Sequence, residues 1–264
     1  MSDSPLDTAW SRLRTTGRTA LIPYLTAGYP TAEASLAAIR AVAADSDIIE
    51  VGVPFSDPLA DGPTIQRSTF EALRQGMTLA GTLDLIARAE LERPVVVFSY
   101  LNPILRYGLE RFLRDAERLG VAGLLLTDLP AGSDANVERA VQASRLDLIR
   151  LVAPTTRPAR LTEAVAGAGG FIYLVARLGV TGASSALAPD LPGTIARVRA
   201  ATPLPLAVGF GISTPAQATT VAGLADGVVV GSALVDALGR GGVGAAVRFL
   251  RSLREAVDGV AASR

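Results

Sequence analysis

Two acidic residues stand close together in a part of the chain that is otherwise apolar or turn-forming. Glu50 lies near the end of the apolar run 47–51, and Asp61 lies on the Pro-, Gly-, Ser- and Asp-containing loop that follows. Charged side chains are rarely buried unless they are paired or functional, and carboxylates at strand ends of barrel folds are often catalytic. We therefore favour a pair of carboxylates that exchange protons with a substrate. The alternative is a paired structural Glu beside a turn-forming Asp.

The amino-acid composition excludes several classes of catalyst. The chain has no His and no Cys, and all 25 of its basic residues are Arg. A Ser-His-Asp triad, a Cys nucleophile, a zinc site of the usual His/Cys type and a Lys Schiff base are therefore impossible. Acid–base chemistry must come from Asp, Glu, Tyr, water or the backbone.

Charge and hydropathy patterning narrow the cellular setting. Arg balances Asp and Glu at 25 each, so no excess of basic charge indicates a nucleic-acid partner. The first residues lack the basic and apolar regions of a signal peptide, and no apolar run is long enough to cross a bilayer. We expect a soluble, cytoplasmic protein.

The elements that must position the two carboxylates repeat along the chain as strand, loop and helix. Most of the predicted strands are continuous apolar runs, which is typical of parallel strands covered on both faces. They span 20–26, 47–51, 95–100, 121–127, 147–152, 170–175, 204–208 and 227–231. Eight such units predict an α/β fold with a single (β/α)8 TIM-barrel domain over 1–264. The alternative is a doubly wound open sheet, but its glycine fingerprint is missing after the first strand.

Two further helices are predicted outside the eight repeating units. One spans 6–13, before the first strand, where it could cover the bottom of the barrel. The other is a short helix at 233–238, between strand eight and the last long helix.

Glycine-containing loops after strands seven and eight predict a phosphate site. Gly211 lies on the first of these loops, and Gly231 and Ser232 precede the short helix on the second. Barrels commonly bind phosphate at these loops and at the N-terminus of such an extra helix, where free N–H groups and the helix dipole attract an anion. The alternative is ordinary turn glycines with a Ser N-cap.

The loop after strand six is long, and its residues are mostly small or polar. It spans 177–186, a composition that suits a mobile lid over a barrel site. The alternative is a slack connection without a role.

Five segments together resemble the alpha subunit of tryptophan synthase. They are IPYLTAGYP at 22–30, EVGVPFSDPLADGPTIQ at 50–66, RLGVTG at 177–182, GFGIS at 209–213 and GSA at 231–233. The resemblance runs from about Trp10 to the C-terminal helix. It implies a TIM-barrel lyase of tryptophan biosynthesis that cleaves indole-3-glycerol phosphate to indole and glyceraldehyde 3-phosphate.

The resemblance also implies roles for individual residues. The catalytic residues would be Glu50, Asp61 and Tyr173, with Tyr173 beside the indole ring. The phosphate would be bound by Gly182, Phe210, Gly211, Gly231 and Ser232. The indole pocket would be lined by Tyr24, Phe98 and Leu125.

A partner protein is implied as well. It would be the PLP-carrying beta subunit in an αββα complex, with indole passed between the sites and no cofactor or metal in this chain. Asp57, Arg177 and Thr181 would couple the lid to this partner. We expect nothing in the isolated chain to brace the Asp57 loop, which would leave the loop mobile and the chain a slow enzyme.

A cleavage of this kind can proceed without a metal or a Schiff base, because the indole ring itself can accept electrons. Protonation at C3 gives an indoleninium, and electrons from the breaking C–C bond then restore the aromatic ring. We assign the proton transfers to Glu50. We expect Asp61 to accept a hydrogen bond from the indole N–H and to stabilise the developing positive charge. Glu50 shares a strand face with Ile48, so an inward carboxyl with apolar neighbours predicts a raised pKa.

Two other functions remain open from the residues alone. One is a sugar-phosphate isomerase that uses a carboxylate pair on the same barrel. The other is a catalytically silent subunit that only activates a partner. Indole release by the isolated chain distinguishes them.

Overall fold

Eight parallel strands close into a barrel in the computed structural model, which describes residues 4–175, 190–209 and 211–261. The strands are β1 (Ala20–Thr26), β2 (Ile49–Gly52), β3 (Val95–Ser99), β4 (Val121–Leu126), β5 (Asp147–Val152), β6 (Ile172–Val175), β7 (Leu206–Gly209) and β8 (Gly227–Val230). Each strand pairs in parallel with the next, and β8 pairs with β1. The predicted (β/α)8 barrel is therefore confirmed.

Helices precede the first strand and connect or follow the others. They are α1 (Pro5–Thr15), α2 (Ala32–Val42), α3 (Pro63–Arg74), α4 (Leu79–Ala89), α5 (Leu101–Tyr107), α6 (Leu109–Arg118), α7 (Ala135–Gln142), α8 (Pro158–Ala164), α9 (Leu191–Ala201), α10 (Pro215–Ala222) and α11 (Ser232–Ala261). A short 3-10 turn, Ala43–Asp45, follows α2. None of the helices in the described ranges combines the length and apolar character needed to cross a bilayer.

The strands are apolar because the helical layer covers their outer face while the barrel interior buries their inner face. Every residue of β1, β3 and β4 is buried. The predicted second strand began at Asp47, but β2 begins two residues later. Asp47 instead accepts a hydrogen bond from the backbone N–H of Leu21 at 3.0 Å.

The N-terminal helix α1 covers the amino-terminal end of the barrel, as predicted. Ser4 and Asp7 form a capping box that starts the helix. Leu6 and Trp10, on its inner side, are 0% and 1% exposed. A Cβ added at Gly227, the first residue of β8, would lie 3.0 Å from the Trp10 ring.

The helical layer differs from the predictions at α5 and α11. No helix was predicted at Leu101–Tyr107, although one forms there with Pro103 as its third residue. Pro is tolerated in the first turn of a helix, where its missing N–H has no partner to lose. The short helix after strand eight forms the start of α11, and Gly242, with φ 68°, interrupts that helix.

The C-terminal part of α11 is tied to the bottom of the barrel by a buried cation. Arg254 contacts Asp47 at 2.9 Å and donates to the carbonyl of Thr19 at 3.1 Å. It also contacts Asp258, four residues further along the helix, at 2.7 Å. The end of the chain is thus attached to the elements that begin the barrel.

The register of the strands places the predicted site residues on one inner surface. Tyr24 on β1 pairs with Glu50 on β2, and Phe98 on β3 pairs with Leu125 on β4. Tyr173 lies on β6, paired with Leu151 of β5 and Ala207 of β7. Side chains two residues apart on a strand share a face, so these residues face the barrel interior together.

Candidate active site

A cavity opens at the carboxyl-terminal end of the strands, where barrel enzymes carry their active sites. It is lined by Tyr24, Glu50, Asp61, Gly62, Ile65, Phe98, Tyr173, Gly211, Gly231 and Ser232. Residues predicted as catalytic, as indole-contacting and as phosphate-binding therefore meet around one space.

Glu50 is a fully buried acid. Its side chain is 0% exposed, and neither carboxyl oxygen has a hydrogen-bond partner among the residues that the structure describes. Burial penalises the charged form and raises the pKa of Glu50 from 4.5 to about 8. The group is therefore protonated at neutral pH and can act as an acid.

Asp61 has different surroundings in the same cavity. It is 8% exposed, and the Tyr100 hydroxyl donates to its Oδ2 at 3.2 Å. Burial raises the pKa of Asp61 and the bond from Tyr100 lowers it, and the outcome is a pKa of about 6. Asp61 is thus mainly ionised at neutral pH, when Glu50 is still protonated.

Aromatic rings form part of the wall of the cavity that holds the two carboxyl groups. The Tyr24 and Phe98 rings meet edge to face, with centroids 5.2 Å apart. Two glycines make room for the phenols, since an added Cβ at Gly52 would lie 2.0 Å from the Tyr24 hydroxyl and one at Gly209 would lie 2.1 Å from that of Tyr173. The cavity therefore has apolar walls that suit a flat aromatic ligand.

The described part of the predicted phosphate site lies at the ends of β7 and β8. Gly211 has a φ of 90°, a backbone conformation that favours glycine. The Gly231 carbonyl accepts hydrogen bonds from Leu234 and Val235, so α11 begins at the cavity wall. The amides of Ser232 and Ala233 lie in that first turn and can donate to an anion. Gly182 and Phe210 lie outside the described residues.

Leu125 does not line the cavity, although the resemblance implied that it would. It is fully buried on the inner face of β4, where its backbone pairs with Phe98. Its contribution to an indole pocket stays a prediction.

The Asp57 loop is braced from within the chain, so the expectation that nothing braces it is wrong. Tyr100, which directly follows β3, accepts a hydrogen bond from the Ala60 N–H at 2.9 Å. Within the loop, the Asp61 N–H donates to the Pro58 carbonyl at 3.1 Å. Asp57 itself is exposed. Arg177 and Thr181, the other two residues predicted to couple lid and partner, lie outside the described residues.

Sequence reasoning missed Tyr100 and Ile65. Ile65 lies in the first turn of α3 and lines the cavity. Its position four residues after Asp61 was the one feature of the sequence that pointed to a place in the site. Tyr100 stands directly after a strand, as loop residues at the catalytic end of a barrel do, and that position could have drawn attention to it. Within the described ranges, no group of three or more acidic side chains is arranged to hold a metal ion.

Comparison with known proteins decides the family. The model of the family described as "Tryptophan synthase alpha chain" matches residues 10–258. The chain belongs to the tryptophan synthase alpha chain family. The resemblance stated from the five sequence segments is therefore confirmed over nearly the whole length.

Curated relatives agree with this assignment. The chain is 46% identical over 259 residues to the tryptophan synthase alpha chain of Chloroflexus aggregans, with 95% of this chain and 97% of the relative covered. It is 48% identical over 242 residues to that of Acidiphilium cryptum, with 90% and 88% covered.

Solved structures of the family share the fold. A Mycobacterium tuberculosis tryptophan synthase chain superposes with a TM-score of 0.90 at 41% identity, and 97% of this chain and 99% of that chain are covered. The tryptophan synthase subunit alpha of Legionella pneumophila superposes with a TM-score of 0.89 at 33% identity, with 98% and 100% covered.

Proposed function

We propose that this alpha chain, acting as one barrel domain, is a carbon–carbon lyase that cleaves indole-3-glycerol phosphate to indole and glyceraldehyde 3-phosphate. The observation that carries the site assignment is the pairing of a protonated Glu50 with an ionised Asp61 in one aromatic-walled cavity. Two carboxyl groups with separated pKa values are typical of an acid and a charge-stabilising group.

Glu50 acts first as the acid and then as the base. Its proton moves to C3 of the indole ring and leaves an indoleninium cation. The resulting carboxylate takes the proton of the adjacent glycerol hydroxyl, the carbonyl of the aldehyde forms and the C3–C bond breaks. The bonding electrons return to the ring, so Glu50 ends the cycle protonated. A pKa near neutral suits a group that gives and takes a proton in one turnover.

Asp61 stabilises the positive charge that develops on the ring. Its carboxylate accepts from the indole N–H, and the attraction strengthens as the nitrogen becomes cationic. An interaction that is stronger in the transition state than in the bound substrate raises kcat. Tyr24, Phe98 and Tyr173 hold the ring between them, which orients C3 toward Glu50.

The phosphate of the substrate binds at the start of α11. Gly211 and Gly231 let the backbone approach the anion, and the N–H groups of Ser232 and Ala233 face it at the positive end of the helix dipole. We assign Gly182 and Phe210 to the same cradle on the family resemblance.

The partner is a tryptophan synthase beta subunit in an αββα complex, which receives the indole and carries the PLP, so this chain needs no cofactor of its own. Support comes from the surface beside the Asp57 loop. Leu59 and Phe70 are 87% and 61% exposed and line one groove next to Asp57. Large apolar side chains exposed together are typical of interaction sites.

The deciding experiment measures indole released from indole-3-glycerol phosphate by the purified chain, alone and with a beta subunit. Indole and glyceraldehyde 3-phosphate should appear in equal amounts. A rearranged sugar phosphate without indole would indicate the isomerase instead. Activation of the partner without any cleavage by this chain would indicate a silent subunit. Neither of these two alternatives is favoured by the family membership.

A further inference from the structure

Tyr100 contacts both ends of the loop that carries Asp57. Its ring packs on Phe55, near the start of the loop, with centroids 5.0 Å apart. Its hydroxyl contacts Ala60 and Asp61, at the end of the loop. Tyr100 is 6% exposed, and its hydrogen bond to Asp61 is buried.

The position of Tyr100 is itself fixed by the barrel. It directly follows β3 and is the N-cap residue of α5. The next residue, Leu101, donates its N–H to Asp128 at 2.8 Å, which ties this end of β3 to the end of β4. Because the backbone on which Tyr100 stands belongs to the barrel rim, the phenol can hold a loop in place.

The direction of the hydrogen bonds follows from the donors that are present. The Ala60 N–H can only donate, so the Tyr100 oxygen accepts from it. The phenolic hydrogen is then left for the Asp61 carboxylate, to which it donates. In the part of the chain that the structure describes, Tyr100 is the one side chain that donates to this carboxylate.

We propose that Tyr100 is a positioning residue for the lyase reaction, whose hydroxyl holds the Asp57 loop against the barrel rim and keeps the Asp61 carboxyl group directed into the cavity. The proposal rests on the function proposed above for Asp61. Tyr100 is then the residue whose hydrogen bond distinguishes the Asp61 carboxyl group from that of Glu50.

The electrostatic surroundings support this role. The titratable side chains that face Asp61 in the described part are Tyr24 from β1, Glu50 from β2, Tyr100 from the end of β3 and Tyr173 from β6. Burial raises the pKa of each of the four, so all are uncharged at neutral pH. No cation among them favours the Asp61 carboxylate, and the bond from Tyr100 is what lowers its pKa.

The test is Tyr100→Phe, which removes one oxygen and keeps the ring on Phe55. The matched control is Tyr107→Phe, seven residues along the same helix, whose hydroxyl donates to Asp115 outside the cavity. In Tyr100→Phe, kcat for indole release should fall by about 10-fold to 100-fold, as for loss of a hydrogen bond to a charged group. The acid limb of the kcat–pH profile should move to higher pH, and the affinity for glycerol 3-phosphate should stay unchanged. Tyr107→Phe should change none of the three.

Several results would overturn the proposal. One is a Tyr100→Phe enzyme with wild-type kcat, and another is a loss of kcat with an unmoved acid limb, which would make Tyr100 a structural support only. A second variant, Tyr100→Phe combined with Asp61→Asn, should be no slower than Asp61→Asn alone, because the hydroxyl acts through that carboxylate. Additive losses would contradict this. Wild-type activity in Asp61→Asn alone would instead overturn the proposed role of Asp61, so the two failures are distinct.

Discussion

At the scale of single residues, the site depends on a difference between two acids that share one cavity. Within the described residues, Glu50 is buried without a hydrogen-bond donor, which gives it a pKa of about 8. Asp61 has burial offset by one donor, which gives it a pKa of about 6. Between these values one group is an acid and the other an anion, so the pair is ready for proton transfer near neutral pH.

Replacing Glu50 by Gln should abolish most of the activity while keeping the shape of the side chain. Loss of a general acid and base lowers kcat by roughly 10²–10⁴-fold. Indole release at saturating substrate measures the effect, and binding of glycerol 3-phosphate serves as the control for an intact cavity. Turnover within a few-fold of wild type would mean that Glu50 is structural.

The same variant should change how stability depends on pH. The pKa of Glu50 is raised on folding, so its protonated form favours the folded state. The stability contributed by protonated Glu50 is fully present below pH 4.5 and is lost as the pH rises to about 8. Gln does not titrate, so the melting temperature of Glu50→Gln should gain on that of wild type as pH rises through this window. A constant difference between the two melting temperatures would contradict the raised pKa.

Replacing Asp61 by Asn keeps an acceptor but removes the charge that offsets the indoleninium. We expect kcat to fall sharply, with a smaller effect on the affinity for glycerol 3-phosphate, which lacks the ring. Steady-state turnover and equilibrium binding measure the two quantities. An equal loss in both would place Asp61 at the phosphate end of the cavity.

At the scale of elements, the loops at the ends of β7 and β8 meet the start of α11 and define the phosphate end of the cavity. Gly231 is a useful position to test, because a Cβ added there would lie 3.6 Å from the Tyr24 side chain, an ordinary contact. The fold can therefore accept a methyl group at position 231. The same methyl group would keep a phosphate anion from approaching the backbone.

Gly231→Ala should lower the affinity for glycerol 3-phosphate while the melting temperature changes little. Gly244→Ala, on the same helix but away from the cavity, is the control and should bind as wild type does. Calorimetric titration with glycerol 3-phosphate measures the affinities. A crystal with that ligand bound away from the ends of β6 to β8 would contradict the assignment of the cradle.

The fold was predictable because parallel strands buried on both faces are read as continuous apolar runs. Glu50 was predictable because a carboxylate in such a run is conspicuous, and Asp61 because it lies on the loop that follows the same strand. Tyr100 was not, because its bond to Asp61 joins residues 39 positions apart in sequence and depends on how the loop folds back. The α5 helix is harder to predict, because it has only seven residues and carries a Pro in its first turn. Leu125 is buried on the inner face of β4, and its contact with an indole ring stays a prediction.

At the scale of the whole molecule, the Asp57 loop is a route by which a partner can act on the reaction. Asp61 lies at the end of this loop, where Tyr100 and the Pro58 carbonyl hold it, while Leu59 and Asp57 on the same loop are exposed. The position of this loop also sets the position of Asp61. A protein that binds the exposed side of the loop can therefore change where Asp61 lies in the cavity.

Titration with a cognate beta subunit should raise indole release above that of the chain alone. Thr181→Val, which keeps the shape of the side chain and removes its hydroxyl, should be activated less if closure of the 177–186 loop aligns Asp61. Turnover against beta-subunit concentration measures both. Wild type without activation, or full activation of Thr181→Val, would discard this coupling and leave the barrel and its carboxylates as described.

The two strands that close the ring are made at opposite ends of protein synthesis. β1 leaves the ribosome first among the strands and its partner β8 last, and Arg254, which bonds Asp47, follows later still. Until then, the unfinished sheet has two open edges whose unpaired N–H and C=O groups can pair with another chain. The ring closes only when β8 has emerged and paired with β1, and this pairing removes both edges.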